Sequence, residues 1–269
     1  MNTTKIEAVG LYLMVLCVFS ACQFSQETEK TDTPPQPLDT LTYEYQHYTQ
    51  YSDHVVKTNE TTDTAFYSVS YPTFADTTVN RFVLTTLLGN DTATVKATAQ
   101  TFVDEYDQFF LSDPFPRIWT SESHTNVYRI TPSYLELVTD AYTYTGGAHG
   151  NYGTVFSHYD LTNNRPMVLE DVVTKPFQNE LTAVAERYFR KQEKLAVDQP
   201  LTDRYFFDQG YFHIPDNFAL EEDSLLFLYN IYEIKPYVNG QTKLRIPYTE
   251  IDRLLTDRAK RFITELTHK

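Results

Sequence analysis

The sequence predicts an α+β protein, in which antiparallel or mixed sheets pack against helices, after a signal peptide and a flexible tether. Two observations predict this class. Segments with strand-like alternation and segments with a helical apolar period follow one another as β-β-α-α-β-β-β-α-β-β-α, which is not a regular βαβ alternation. The chain also contains 21 Tyr and 18 Phe, and aromatic side chains favour strands.

The amino terminus has the pattern of a lipoprotein signal. Residues 8–19 are an uncharged apolar run, too short to span a membrane but as long as the core of a signal peptide. Small residues then precede Cys22, as at the cleavage site of bacterial lipoproteins. We predict a signal peptide over 1–21 and lipidation of Cys22 by palmitate or a similar acyl chain. The alternative is a plain secretory signal with an incidental cysteine.

Residues 22–40 are predicted to be a flexible tether. They contain three prolines among polar and charged residues and show no apolar period. The acidic stretch 27–32 is similar to the surface-export signals of some Gram-negative lipoproteins. We therefore expect the protein to be lipid-anchored and extracytoplasmic in the bacterial cell envelope, at the outer membrane or cell surface.

The folded part is predicted to begin near residue 41 with two strands, 42–52 and 64–71, in which aromatic residues partly alternate. A helix capped by Asp76 and ended by Gly89 follows, and a longer helix starts near Thr92. Further predicted strands cover residues 117–131, 133–145 and 152–161.

The remaining elements are two helices and two strands. A helical stripe over 177–189 precedes strands over 224–234 and 243–246. The first of these strands is apolar on both faces, so we place it centrally in a sheet. The last helix is expected to begin at Thr249 as its cap.

Composition excludes several classes of function. With 36 Asp and Glu against 22 Lys and Arg, the net charge is −14, which repels phosphate backbones, so no nucleic-acid partner is expected. Both cysteines lie in the first 22 residues, which excludes a cysteine nucleophile or a thiol-ligated zinc site in the folded part. The HExxH, GxSxG and P-loop motifs are missing. No catalytic residue, metal ligand or cofactor is therefore predicted.

Two loops are candidates for binding. One has three glycines in five residues and carries a histidine; the other runs from a buried strand into a Pro-Tyr pair and a closing glycine. A bend and an ordinary connection between strands are the alternatives. The candidate residues are Gly146, Gly147, His149, Gly150, Glu233, Pro236, Tyr237 and Gly240.

Three stretches carry a family resemblance: TYTGGAHG (143–150), HYDLTNNRPMVLEDVV (158–173) and the segment 216–251, which contains YEIKPYVNG. They resemble the DUF3298 family, and the preceding half is similar to the DUF4163 region, also called the PdaC-type domain. The resemblance implies a DUF4163-like region over 41–140 and a DUF3298-like region over 141–269. Its members occur in lysozyme-sensing anti-sigma factors, beside peptidoglycan deacetylase domains and in envelope lipoproteins.

The deacetylases of this group carry a separate domain with Asp-Asp and His-x-x-x-His metal motifs, which this sequence lacks. We therefore expect a lipid-anchored, non-catalytic binding module of the envelope. Its partners would be the membrane, through Cys22, and a basic lysozyme-like muramidase or peptidoglycan. The alternatives are a peptidoglycan hydrolase or deacetylase acting through His149 and Glu233, and a structural lipoprotein without a dedicated ligand.

Overall fold

The computed structural model describes residues 41–57 and 61–267. Its mixture of two sheets and six α-helices confirms the predicted α+β class. The predicted signal peptide (1–21), Cys22 and the predicted tether (22–40) lie outside the described residues. Within the described ranges, every helix falls short of the length and apolar character that crossing a bilayer demands.

The first half of the chain forms most of a six-stranded sheet in which the strands lie side by side in chain order. All neighbours are antiparallel except β2 and β3, which are parallel because two helices, α1 and α2, connect them. The elements are β1 (Tyr43–Lys57), β2 (Thr62–Phe74), α1 (Thr77–Leu88), α2 (Val95–Ser112), β3 (Thr120–Ile130), β4 (Tyr134–Tyr144), β5 (Asn151–Asp160) and β6 (Arg165–Met167).

Helix α1 begins and ends where the sequence predicts. Asp76 accepts hydrogen bonds from the backbone N–H groups of Thr78 (2.7 Å) and Val79 (3.3 Å), and Gly89 ends the helix with a φ of +74°. The buried face of α1 packs on one face of the sheet, where the rings of Phe82 and Tyr159 lie 4.9 Å apart.

The second half of the chain forms a smaller antiparallel sheet with helices around it. Its strand order is β7-β8-β9, and all six residues of β8 are buried, which confirms the central strand predicted from its apolar composition. The elements are α3 (Leu169–Val172), α4 (Gln178–Gln192), β7 (Phe218–Leu220), β8 (Ser224–Tyr229), β9 (Thr242–Pro247), α5 (Tyr248–Ile251) and α6 (Asp257–Thr267).

Several predicted boundaries are wrong. Strand β1, for example, continues to Lys57 instead of ending at residue 52. Strand β8 ends at Tyr229 instead of residue 234, because the chain turns through residues 230–233. The last helix is not continuous from Thr249: it breaks at Leu255, which is extended and pairs with Val173. Thr256 then caps α6 by accepting a hydrogen bond from the backbone of Ala259 (3.0 Å).

Two asparagines join the small sheet to the outer edge of β5. Asn217 accepts from the N–H of Phe156 (2.9 Å) and Asn230 accepts from the N–H of Thr154 (2.8 Å). Both side-chain amides also donate to the carbonyl of Thr154, at 2.7 and 3.0 Å. Since β6 pairs with residues 158–160, these side chains take the place of a neighbouring strand at Thr154 and Phe156.

A buried polar cluster lies between β4, β5 and β7. His158 donates from Nε2 to the carbonyl of Phe218 (2.9 Å), because a carbonyl can only accept. Its Nδ1 then accepts from the hydroxyl of Tyr134 (2.7 Å). The fully buried Glu136 is 3.4 Å from Arg129 through Oε2, while its Oε1 lies 3.9 Å from His158 without a hydrogen-bond partner among the described residues.

Burial controls the protonation of this cluster. Desolvation raises the pKa of Glu136 from 4.5 to about 8, although Arg129 opposes the shift. Desolvation also lowers the pKa of His158 from 6.5 to about 4, against the hydrogen bond to Phe218. Both side chains are therefore neutral in the folded protein near pH 6, although both are charged in the unfolded chain.

These shifts predict a pH-dependent stability that Glu136→Gln inverts. Between about pH 4.5 and 6.5 the folded chain retains the Glu136 proton and the unfolded chain gains one on His158, so the two contributions cancel. Between about pH 6.5 and 8 only Glu136 binds a proton in the folded state that it lacks in the unfolded state. The free energy of unfolding therefore falls with rising pH by up to about 1.4 kcal/mol per pH unit. In Glu136→Gln, the free energy of unfolding should be constant between pH 6.5 and 8. It should fall as the pH drops from 6.5 towards 4, because His158 then binds a proton only in the unfolded chain.

Urea denaturation at pH steps from 5 to 8 measures both profiles. Glu222→Gln is the matched control, because it makes the same carboxyl-to-carboxamide change at an exposed residue outside the buried cluster. A wild-type profile that does not fall above pH 6.5, or a Glu136→Gln profile parallel to the control, would show that the folded protein holds Glu136 ionised.

Candidate functional site

The two candidate loops meet at one end of the large sheet. The glycine-rich loop connects β4 to β5, and the Pro-Tyr loop connects β8 to β9. The ring of His149 stacks on the ring of Tyr237, with centroids 3.9 Å apart, and lies 3.2 Å from the hydroxyl of Tyr232 through Nε2. Tyr152 packs edge-on against Tyr237 at 5.9 Å. These four residues, His149, Tyr152, Tyr232 and Tyr237, are called the His149 cluster below.

Both nitrogens of His149 are used inside the cluster. Nδ1 lies 2.9 Å from the carbonyl of Gly150 and must donate to it, because the carbonyl can only accept. Nε2 of the neutral ring then accepts from the hydroxyl of Tyr232. This arrangement holds the imidazole between the carbonyl of Gly150 and the hydroxyl of Tyr232.

The glycines of the first loop have physical roles that the sequence indicated. Gly146 and Gly147 have φ angles of +109° and +100°, which residues with a side chain rarely adopt. Gly150 lets the backbone approach the ring of Tyr142, since a Cβ there would lie 2.4 Å from it. The loop therefore requires glycine at these three positions to bring His149 to the second loop.

The second loop differs in detail from the predicted apolar tip. Pro236 is exposed and precedes a single 3₁₀ turn over Tyr237–Asn239, and Gly240 closes the loop with a φ of +65°. Tyr237 is half-buried because its ring packs on His149, and the most exposed apolar residue of the loop is Val238, at 88%. The tip thus consists of Pro236 and Val238, supported from below by Tyr237.

Glu233 lies beside the cluster at the mouth of an open cavity of about 290 Å³. His149 and Glu233, both within the described ranges, form no ion pair within 4 Å. No group of three metal-ligating side chains occurs in residues 41–57 and 61–267.

Two members of the cluster, Tyr152 and Tyr232, are not among the residues predicted from the sequence. Tyr152 follows the glycine-rich loop directly, and its place at the start of β5 next to that loop was the only available signal. Tyr232 has a φ of +64°, a left-handed conformation that is uncommon for a bulky residue. It lies in a segment that the sequence predicts to be extended, so nothing in the sequence indicated this turn.

Two family descriptions match the chain and confirm the predicted resemblance. Residues 170–249 match "Protein of unknown function (DUF3298)", and residues 57–152 match "Deacetylase PdaC". The glycine-rich loop lies inside the PdaC match and the Pro-Tyr loop inside the DUF3298 match, so the His149 cluster contains residues from both. The predicted division at residue 140 falls within β4, and the limits of the two regions stay a prediction.

Two crystal structures share the fold. A DUF3298 family member from Bacteroides fragilis NCTC 9343 is 23% identical, with a TM-score of 0.69 over 85% of this chain and 98% of that chain. A DUF3298 family protein from Pseudomonas aeruginosa PAO1 is 20% identical, with a TM-score of 0.63 over 83% of this chain and 97% of that chain. No curated protein matches the chain significantly. Together, the PdaC and DUF3298 matches indicate an extracytoplasmic protein of the cell envelope.

The conformation of Tyr232 predicts an unusual order of stability among its variants. A left-handed backbone costs about 1–2 kcal/mol for residues with a Cβ, a cost that glycine avoids. Tyr232→Gly should therefore be more stable than Tyr232→Ala by about 1 kcal/mol in urea denaturation.

Tyr237 provides the matched control, because it belongs to the same cluster but lies in a right-handed 3₁₀ turn. There the order should be reversed, with Tyr237→Ala more stable than Tyr237→Gly by about 0.5–1 kcal/mol. The same order at both positions would contradict the left-handed conformation of Tyr232.

Proposed function

We propose that this chain, with its PdaC-type and DUF3298 regions, is a lipid-anchored, non-catalytic binding module of the cell envelope that recognises a basic, lysozyme-like muramidase. The observation that carries the proposal is the meeting of two loops, one from each matched region, in an exposed aromatic surface around His149. The resemblance to modules found in lysozyme-sensing proteins supplies the class of partner.

The composition of this surface suits a protein ligand. Tyrosine rings provide large, rigid contact areas at a low cost in conformational entropy, and they are common in the centres of protein interfaces. Val238 and Pro236 project beyond them, so the surface offers a small apolar tip next to an open cavity. A shallow, partly convex surface of this kind fits another protein better than it fits an enclosed small molecule.

The charge of the chain supports a basic partner. With a net charge of −14, the protein attracts cationic proteins over distances of about a Debye length and raises their association rate. This attraction falls with salt, since the Debye length shortens from about 10 Å at 0.1 M to about 3 Å at 1 M. The apolar contacts of the cluster supply the part that salt does not weaken.

The position of the site agrees with an anchor at the amino terminus. Strand β1 starts at Tyr43, which pairs with Phe74 at one end of the sheet. The glycine-rich loop follows Tyr144, which pairs with Thr120 at the opposite end. A chain held through Cys22 and the tether would thus enter the sheet at the end away from the binding loops.

Binding to hen lysozyme, measured by surface plasmon resonance, tests the proposal. Tyr237→Ala should raise the dissociation rate about 5- to 30-fold, equivalent to about 1–2 kcal/mol, because the ring supports the apolar tip. Tyr51→Ala is the control: Tyr51 is an exposed tyrosine on β1, at the far edge of the same sheet, and its loss should change nothing.

A non-muramidase of equal positive charge separates recognition from general attraction. It should bind weakly and lose its binding at 1 M salt, whereas lysozyme should retain a measurable part. Equal affinity for the two proteins, unchanged by Tyr237→Ala, would refute the muramidase receptor. Binding of purified peptidoglycan that depends on Tyr237, without binding of lysozyme, would replace the muramidase by peptidoglycan as the ligand.

The anchoring part of the proposal predicts that Cys22→Ala moves the protein from the membrane fraction to the soluble fraction. Two or more acyl chains hold a protein stably on a membrane, and without Cys22 no acceptor for them remains in the predicted mature chain. Fractionation of cells with and without the substitution, with mass spectrometry of the mature amino terminus, measures this. A Cys22→Ala protein that stays with the membrane would contradict lipidation at this residue.

A further inference from the structure

The cavity next to the His149 cluster has an apolar floor. Ala141 and Gly153 face each other across β4 and β5, and because one has a methyl group and the other no side chain, this pair leaves space that Ile231 and Asn230 line. The side-chain oxygen of Asn230 lies 3.5 Å from where a Cβ on Gly153 would be. The volume of about 290 Å³ lies at the lower limit of small-molecule sites. It is suited to one extended side chain of a larger ligand.

One carboxylate, that of Glu233, lies at the rim of this cavity. The carboxylate of Glu233 is exposed at the mouth of the cavity and forms no ion pair with any lysine or arginine in the described part of the chain. Thr143 and Asn151 line the same cavity and add further oxygen atoms.

The edge of β5 adds a backbone acceptor. The N–H groups of Thr154 and Phe156 point away from β4, at the outer edge of β5, where Asn230 and Asn217 bind them. In an antiparallel pair the outward direction recurs at every second residue, so the N–H and C=O of Tyr152 point to the same edge. Within the described residues no strand pairs with β5 at this position. The backbone of Tyr152, a residue that lines the cavity, therefore offers both its carbonyl and its N–H at this edge.

We propose that this cavity binds the cationic side chain of a lysine or arginine presented by the protein ligand. The aliphatic part of that side chain would lie on Ala141, Gly153 and Ile231. Its charged end would bind the carboxylate of Glu233 and the carbonyl of Tyr152. The inference rests on the proposed function, in which the ligand is a basic protein.

Other occupants fit this cavity less well. An anionic group would meet the carboxylate of Glu233 and outward-pointing carbonyl oxygen, and both would repel it. An uncharged apolar side chain would fill the floor but would remove water from the Glu233 carboxylate without replacing it, which is costly. A cation with an aliphatic stem can place the stem on the apolar floor and its charge next to the Glu233 carboxylate. Lysine and arginine side chains combine these two contacts at many protein surfaces.

Nuclear magnetic resonance of the ¹⁵N-labelled mature chain tests the pocket directly. The probes are N-acetyl-lysine methylamide and N-acetyl-arginine methylamide, with N-acetyl-norleucine methylamide as the uncharged analogue of similar length. The cationic probes should shift the amide signals of Tyr152 and Gly153, and the norleucine probe should bind at least tenfold more weakly. Equal shifts with norleucine, or no shift of these amides with the cationic probes, would overturn the proposal.

Two carboxamide variants assign the charge. Glu233→Gln should weaken the cationic probes at least tenfold, whereas Glu222→Gln, an equal change of net charge at an exposed residue before the other end of β8, should leave them unchanged. The spectrum of each variant reports whether it is folded. Cationic probes that bind Glu233→Gln as well as the wild type would refute the role of Glu233.

The pocket and the proposed partner can fail separately. If binding of the cationic probes depends on Glu233 but lysozyme does not bind, the cation pocket is supported and the muramidase is refuted as the partner. If lysozyme binding depends on Tyr237 but is equally tight for Glu233→Gln and Glu222→Gln, the muramidase is supported as the partner and the cation pocket is refuted.

Discussion

The outer edge of β5 is the constraint on which the rest of the structure depends. An unpaired strand edge carries N–H and C=O groups that need partners, and among the described residues β6 pairs with this edge only at residues 158–160. The amides of Asn217 and Asn230 bind it, and Gln241 holds the oxygen of Asn230 at 2.8 Å. Asn217 precedes β7 and Asn230 follows β8, so the two side chains fix the open end of that hairpin against the large sheet. The turn that carries Tyr232 starts at Asn230, and this is why it reaches His149.

The junction between the sheets is polar at its centre as well as at its edge. His158 connects β5 to the carbonyl of Phe218 in β7, and Tyr134 binds His158 while its ring stacks on Phe262 of α6. A purely apolar contact would tolerate sliding, whereas a shift here would leave buried donors and acceptors without partners. The neutral forms of His158 and Glu136 make this arrangement tolerable without charge. The cost is a carboxyl oxygen of Glu136 that has no hydrogen-bond partner among the described residues.

Local signals in the sequence explain which features could be predicted. Asp76 and Gly89 bound α1 as expected because caps act through neighbouring backbone groups, and β8 was recognisable as central from its composition. The three-residue strands β6 and β7 are too short to show a period, and the helix break at Leu255 depends on pairing with the distant Val173. In the site, the glycines and Tyr237 were identifiable singly. Their meeting was not, because it depends on hydrogen bonds between Thr154 and asparagines more than sixty residues away.

Tyr232 contributes to the His149 cluster through its contacts more than through burial. Tyr232 adopts a left-handed backbone that glycine or asparagine would adopt more easily, and its ring is about half exposed, so it adds little to the core. What the strained position does provide is the hydroxyl that binds His149 and a ring 5.7 Å from Tyr237. These contacts connect the turn after β8 to the glycine-rich loop. They hold the rings of the cluster together although the two loops are far apart in the sequence.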